Sequence, residues 1–188
     1  MNLTTFIEEG NFQRPSAEIA LDLIYIANQY RVPVTRVEFG IPEALDQRPD
    51  VSTDANTFVT VKIDPLFDDR FRGDTGFMYQ RLDLSVLTDN PDVVLIAPEF
   101  PFEMHQLLPA LNLKFGTMFS EADIRNDTIT GEEQDVTLIA AETSLVWLGS
   151  RPITVGGIGN LTGVRVTTTG RVRITSTGSV RVILPTVP

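Results

Sequence analysis

Apolar residues fall at helical spacing in "RPSAEIALDLIYIANQY": Ile19, Leu23, Ile26 and Tyr30 line one face, widened by Ala20, Ile24 and Ala27. Pro15 suits the first helical position, where its missing N–H costs nothing, so a helix is predicted over residues 15–30. "RVPVTRVEFGIP" then breaks the period with Pro33, Gly40 and Pro42, and "VTRVEF" has the β-branched character of a short strand. Residues 43–56 are polar and turn-forming, which predicts a surface loop. "TFVTVKI" alternates, with Val59, Val61 and Ile63 on one face and Phe58, Thr60 and Lys62 on the other, as in a strand buried on one side. "FMYQRLDLSVL" resumes a strand pattern after the turn-rich "DPLFDDRFRGDTG", so the two segments are predicted to form a β pair with a long loop.

The second half opens on "NPDVVLIAPEFP" and a second helical face, Met104, Leu107, Leu108, Leu111 and Phe115. Pro109 is expected to kink that helix, because it cannot donate to the carbonyl of His105. "VTLIAAETSLVWLG" is a candidate strand pair. "IYIANQYRVPVTRVEFG" and "LPALNLKFGTMFSEADI" share a loose pattern, including Asn28 with Asn112 and Thr35 with Thr117. The pattern raises an internal duplication, with halves of about 1–90 and 91–150 packed on a common sheet.

From Arg151 onward Val, Thr, Gly and Arg dominate and the aromatics vanish. Val164-Arg165-Val166, Val172-Arg173-Ile174 and Val180-Arg181-Val182 recur every eight residues, a spacing that preserves strand parity. Val164, Val166, Val172, Ile174, Val180 and Val182 would therefore share one face, and Arg165, Arg173 and Arg181 the other. An isolated small sheet is marginal in water, so its apolar face needs a cover. The strands could run as an antiparallel meander, with Thr-Thr-Gly and Ser-Thr-Gly turns, or stack in parallel as solenoid rungs with the arginines in one column. These nine octad residues are the candidate protein interface.

Charge sharpens the division. Residues 1–150 hold all 25 acids and ten of the 15 Lys and Arg, a net −15, whereas residues 151–188 hold five arginines and no acid. The expected organisation is an acidic α+β body over 1–150, with two short helices on mixed or antiparallel strands, and a basic β-rich extension over 151–188. An acidic body repels nucleic acid and anionic lipid. The tail lacks aromatic stacking partners, so a nucleic-acid grip by its arginines is disfavoured as well. No stretch approaches the roughly 20 apolar residues of a membrane span, and the chain reads as soluble and unsecreted, with neither nucleic acid nor membrane as partner.

Candidate chemistry is sparse. The chain has no cysteine and one histidine, His105, which reads as a surface or satisfied core residue. Asp64, Asp68, Asp69 and Asp74 look oxygen-rich, but their spacing does not match an EF-hand loop, and Arg70 and Arg72 lie among them. "VGGIGNLTG" lacks the Lys-Ser or Lys-Thr and the helix of a phosphate cradle. No pair among the 25 acids is singled out for glycoside hydrolysis. The expectation is a protein that is not an enzyme and uses no cofactor or metal.

Several separated motifs resemble a known family. "FRGDTGFMYQRLDLSVL", through Phe71, Gly73, Tyr79, Arg81, Leu82, Asp83 and Leu84, is similar to a segment of virion structural proteins of large tailed bacteriophages, the jumbo-phage group. "LLPALNLKFGTMFSEADI" (Leu107, Leu108, Leu111, Asn112, Gly116, Thr117, Asp123) and "VTLIAAETSLVWLGS" (Ser144, Trp147, Gly149) resemble the same family's second half. "FRGDTG" departs from the family's usual Gly, Thr and Val run by being more acidic. The resemblance covers most of residues 15–150 and implies a non-enzymatic part of the tail, baseplate or neck. Such a part is assembled in the host bacterial cytoplasm and present in repeated copies, as a homo-oligomer among other virion proteins. A receptor- or glycan-binding fibre module is the alternative, though the tail lacks the aromatics such a site uses; a cell-wall hydrolase would need a close carboxylate pair. Arg81, Asp83 and Tyr79 are expected to act as an internal brace, and Trp147 as core.

Overall fold

A computed structural model describes residues 2–32, 37–45, 54–63, 74–97, 100–130, 135–156, 164–166, 171–174 and 181–183. The fold is α+β. Three α-helices are present among the described residues. The first, α1 (Leu3–Glu9), starts where the Asn2 side chain accepts from the Thr5 N–H at 2.9 Å and ends at Gly10 in the left-handed region, φ 60°. The second, α2 (Ser16–Asn28), matches the predicted helix, with Pro15 one position earlier than expected, at the cap. Ile19, Ala20, Leu23 and Ile24 are buried, as the spacing requires; Tyr30 lies beyond the helix, stacked on Phe77.

The predicted hairpin is present. Strands β1 (Val37–Phe39), β2 (Glu43–Ala44), β3 (Thr57–Ile63) and β4 (Asp74–Tyr79) form an antiparallel sheet in which β3 pairs with all three others. Thr57 pairs with Tyr79 and Lys62 with Asp74, and α2 lies against β4. Val59 and Val61 are fully buried while Thr60 and Lys62 are exposed, which is the alternation read from the sequence. The expected surface loop over 43–56 is interrupted, because Glu43 and Ala44 pair with Phe58 and Thr57. Asp64, Asp68, Asp69, Phe71 and Gly73 lie outside the described residues.

Three other expectations are corrected. "FMYQRLDLSVL" is not one strand: β4 stops at Tyr79, Gln80 and Arg81 leave the ladder, and the two-residue β5 (Leu82–Asp83) leads into a 3-10 turn, Leu84–Val86. Pro109 does not kink a helix. A 3-10 turn, Met104–Leu107, precedes α3 (Leu108–Phe115), so the proline sits in the first helical turn, where no N–H is required. "VTLIAAETSLVWLG" does not fold back on itself. Its first strand, β9 (Asp135–Ile139), pairs with β11 (Ser150–Gly156), and β10 (Trp147–Leu148) runs parallel to β5.

The sheet of the second half has the order β6 (Leu95–Ile96), β11, β9, with β6 and β11 parallel. It is separate from the β1–β4 sheet, so the proposed halves do not share a common sheet. A further pair, β7 (Phe102–Glu103) and β8 (Thr128–Ile129), brackets α3 in the sequence. One hydrophobic cluster joins these parts, with Phe12 and Phe119 edge-on to Trp147 at ring-centroid distances of 5.3 and 5.5 Å.

The change of composition at residue 151 is not where the core stops. Strand β11 crosses it, with Ile153 and Val155 buried. Arg151 donates to the carbonyls of Leu84 and Leu87, pairs with Asp89 and lies over the Phe115 ring at 5.0 Å. Beyond Gly156, β12 (Val164–Val166), β13 (Arg171–Ile174) and β14 (Arg181–Ile183) pair antiparallel in that order.

Candidate functional site

Tyr79, Arg81 and Asp123 converge on one loop, 141–149. Where β4 ends, the buried Tyr79 hydroxyl donates to the Leu145 carbonyl at 2.7 Å. Arg81, also buried, donates from Nε to Thr57 Oγ1 at 2.9 Å and from Nη1 to the carbonyls of Ser144 at 2.9 Å and Glu142 at 3.3 Å. Its own N–H is received by Asn56 Oδ1 at 2.8 Å, and Asn56 Nδ2 donates back to the Arg81 carbonyl. The break between β4 and β5 has a physical reason: Arg81 leaves the strand and spends its guanidinium on three oxygens from two distant segments.

The same loop is held from the other side. Asp123, 1% exposed, accepts from Ser16 Oγ (2.7 Å) and Ser144 Oγ (2.9 Å) on one oxygen, and from the Ser120 N–H (2.9 Å) and Oγ (2.7 Å) on the other. Ser144 Oγ in turn receives the Trp147 N–H at 3.0 Å. Asn112, at the end of α3, clasps the following turn. Its Oδ1 accepts from the Phe119 N–H and Thr117 Oγ1, and its Nδ2 donates to the Phe119 carbonyl. Gly116 ends α3 at φ 62°. Gly149 has φ 78°, and a Cβ there would collide with the Asp83 carboxylate, which caps the 3-10 turn through the Ser85 N–H. Asp83 therefore stands apart from the Tyr79–Arg81 pair, with a separate structural role.

Burial raises the pKa of the Tyr79 phenol, against a smaller lowering by the Arg81 charge, and burial lowers that of Arg81. A raised phenol pKa gives stability that is complete below the unfolded value of about 10 and is lost as pH climbs through the folded one. The unfolding free energy is therefore expected to start falling above pH ~10, at up to about 1.4 kcal/mol per pH unit, and Tyr79→Phe to flatten that fall. Urea titrations between pH 7 and 11 check it; equal alkaline slopes for both proteins would contradict the assignment.

His105 has a structural position: its Nε2 lies 2.7 Å from the Ile124 carbonyl, which places a proton on Nε2. Among the described residues no group of three or more His, Cys, Asp or Glu is placed to hold a metal ion, and no helix is long and apolar enough to cross a membrane. Two open clefts lie among the described residues. One, of about 430 Å³, lies between the start of α1, the end of α2 and Met78, with Asn2, Asp54 and Gln80 among its walls. The other, of about 420 Å³, is mostly apolar and lies over the braced loop, between the start of α2 (Pro15, Ala17) and Met118, Ala122 and Leu145.

The C-terminal meander carries the candidate interface. Its register pairs Arg165 with Arg173 and Arg173 with Arg181, so the octad arginines stand in one row across three strands. The antiparallel meander thus makes the charge column that the sequence tied to parallel stacking. Val166, Val172 and Val182 form the adjacent row, and Val164 pairs with Ile174. Val180 lies outside the described residues. Two members of the arginine face were not legible in the octad. Arg171 precedes Arg173 by two strand positions and so shares its face, and Ile183, paired with Arg171, belongs there as well. The signal for Arg171 was parity alone, which the repeat unit, beginning at Val172, left out.

Residues 10–168 match a protein family of unknown function, DUF7941. The chain belongs to this family. The match takes in the α2 helix, the braced loop and the body sheets, and extends to the first strand of the C-terminal meander. No curated protein and no solved structure matches the chain.

Proposed function

We propose that this member of the DUF7941 family is a structural, non-catalytic component of a tailed-phage virion, in its tail, baseplate or neck. Many copies assemble, each docking its C-terminal sheet on a neighbouring subunit. The observation that carries the docking is the register of β12–β14: it gathers four arginines on one face and five branched residues on the other, in a chain whose first 150 residues carry a net −15. Like charges opposite one another in a ladder destabilise it. An apolar face on three short strands is likewise marginal in water. Both faces gain from a partner, and an acidic copy of the same chain answers the charge. The virion context is supported by the motif resemblance. The motif side chains described by the structure are engaged in packing and internal bonds, as suits a part whose body is a rigid block.

Burial of a Val or Ile side chain contributes about 1.5–3 kcal/mol, and repetition of one modest contact around a particle multiplies it. Val172→Asp/Ile174→Asp is therefore expected to be soluble, with the thermal unfolding midpoint of the body unchanged, and absent from purified particles when it replaces the natural chain. Recovery of the variant in particles at the natural level would remove the tail from the docking role.

A further inference from the structure

We propose that the apolar cleft between the start of α2 and the 118–123 loop is the seat for the arginine face of the C-terminal sheet of a second copy of this chain. The proposal rests on the docking described above and names its receiving surface. The two surfaces match in kind. The sheet face combines Arg165, Arg171, Arg173 and Arg181 with one branched apolar residue, Ile183. The cleft has apolar walls from Pro15, Ala17, Met118, Ala122 and Leu145, with Met118 half exposed at 52%. Three exposed carboxylates flank those walls in the chain: Glu18 after Ala17, Glu121 before Ala122 and Glu142 before Thr143, itself a lining residue.

None of the three carboxylates has an ion-pair partner among the described residues. Arg125 feels the Glu142 charge but is already held by Asp127 in a two-pronged pair at 2.8 Å. Residues 151–188 contain no acid, so the counter-charge for the arginine row lies outside the tail. Arginine stems are themselves apolar and suit an apolar cleft wall whose chain neighbours are exposed carboxylates.

Chain geometry favours a second copy over the same one. The braced loop beneath the cleft leads into the Ser150 end of β11, where Ser150 pairs with Ile139 and Ala140 donates to Gly149. The tail departs from the other end, Gly156, about 20 Å along the strand. The connecting residues 157–163 span at most ~25 Å when fully extended. A return to the tail's own cleft would use about 20 Å of that reach simply to run back along the strand before the sheet could turn and seat, whereas a neighbour's cleft needs no reversal.

The chain has no cysteine, which makes a disulfide test clean. Full-length Met118→Cys and Ile183→Cys proteins, mixed and oxidised, are expected to give a cross-linked dimer that neither gives alone in comparable yield. Glu18→Lys/Glu121→Lys/Glu142→Lys, at exposed positions, is expected to keep the natural unfolding midpoint and to weaken self-association at least about tenfold. Mixing it with Arg165→Glu/Arg173→Glu/Arg181→Glu should restore association. If the triple lysine variant associates normally while Val172→Asp/Ile174→Asp does not, the cleft is overturned and tail docking stands. If neither variant changes the mass in solution, tail docking fails and the cleft with it. A Met118→Cys/Ile183→Cys double variant that closes within single chains at high dilution would also overturn the proposal.

Discussion

Arg81→Met is expected to lower the unfolding free energy by about 3 kcal/mol. Methionine fills most of the volume and removes a charge that burial disfavours, so the cost is that of the orphaned acceptors. The carbonyls of Ser144 and Glu142 and the hydroxyl of Thr57 all lose the same donor. Hydrogen bonds from a charged group contribute about 1.5–3 kcal/mol each, and relief of the buried charge offsets part of the sum. Arg81→Lys should recover little of the loss, because an ammonium on a flexible stem cannot span Thr57 on β3 and two carbonyls of the 141–149 loop. Urea denaturation with Trp147 fluorescence measures it directly: the chain has one tryptophan, packed between Phe12 and Phe119 within that loop. A loss under about 1 kcal/mol for Arg81→Met would mean that the loop is held without the brace.

Asp123→Ala should cost nearly as much, again about 3 kcal/mol. It strands the Ser120 N–H and leaves the hydroxyls of Ser16, Ser120 and Ser144 without their acceptor. Asp123→Asn is expected to be milder, since serine hydroxyls rotate to accept from an amide where they donated to a carboxylate. The two variants differ from Arg81→Met in where they loosen the protein. Asp123 ties the first residue of α2 to the 117–123 turn, so amide exchange should accelerate at the start of α2 and around Ser144 to Trp147. Exchange confined to the β4–β5 junction would contradict that placement.

Much of the body was legible in the sequence because its signals are periodic. The α2 helix and the β3 strand follow from spacing and alternation, and α+β from their sum. What escaped is governed by single side chains whose partners lie far along the chain. Nothing local in "FMYQRLDLSVL" says that the strand must end at Tyr79; the cause is a set of carbonyls some 60 residues later, with Arg81 and the Ser144 carbonyl separated by 63 positions. The α1 helix was missed because only Phe6 of its seven residues is fully buried, too little to show a period. Composition misplaced the end of the body because Arg151, basic like the tail, is bound to Asp89 and to the carbonyls before it. Strand parity carried the octad into two faces, and the same parity puts Arg171 with Arg173 and Ile183 with Arg181, but the three-residue repeat unit left both outside its bounds. The cleft was invisible, since it joins positions 15–17, 118–123 and 143–145 through Asp123.

If the C-terminal sheet joins copies of the chain, the mass in solution falls when the sheet is removed. Light scattering of the full chain is compared with a chain ending at Gly156, which retains every residue of the described hydrophobic core. The full chain is expected to be a defined oligomer and the shortened one a folded monomer. Equal masses for the two proteins would contradict it.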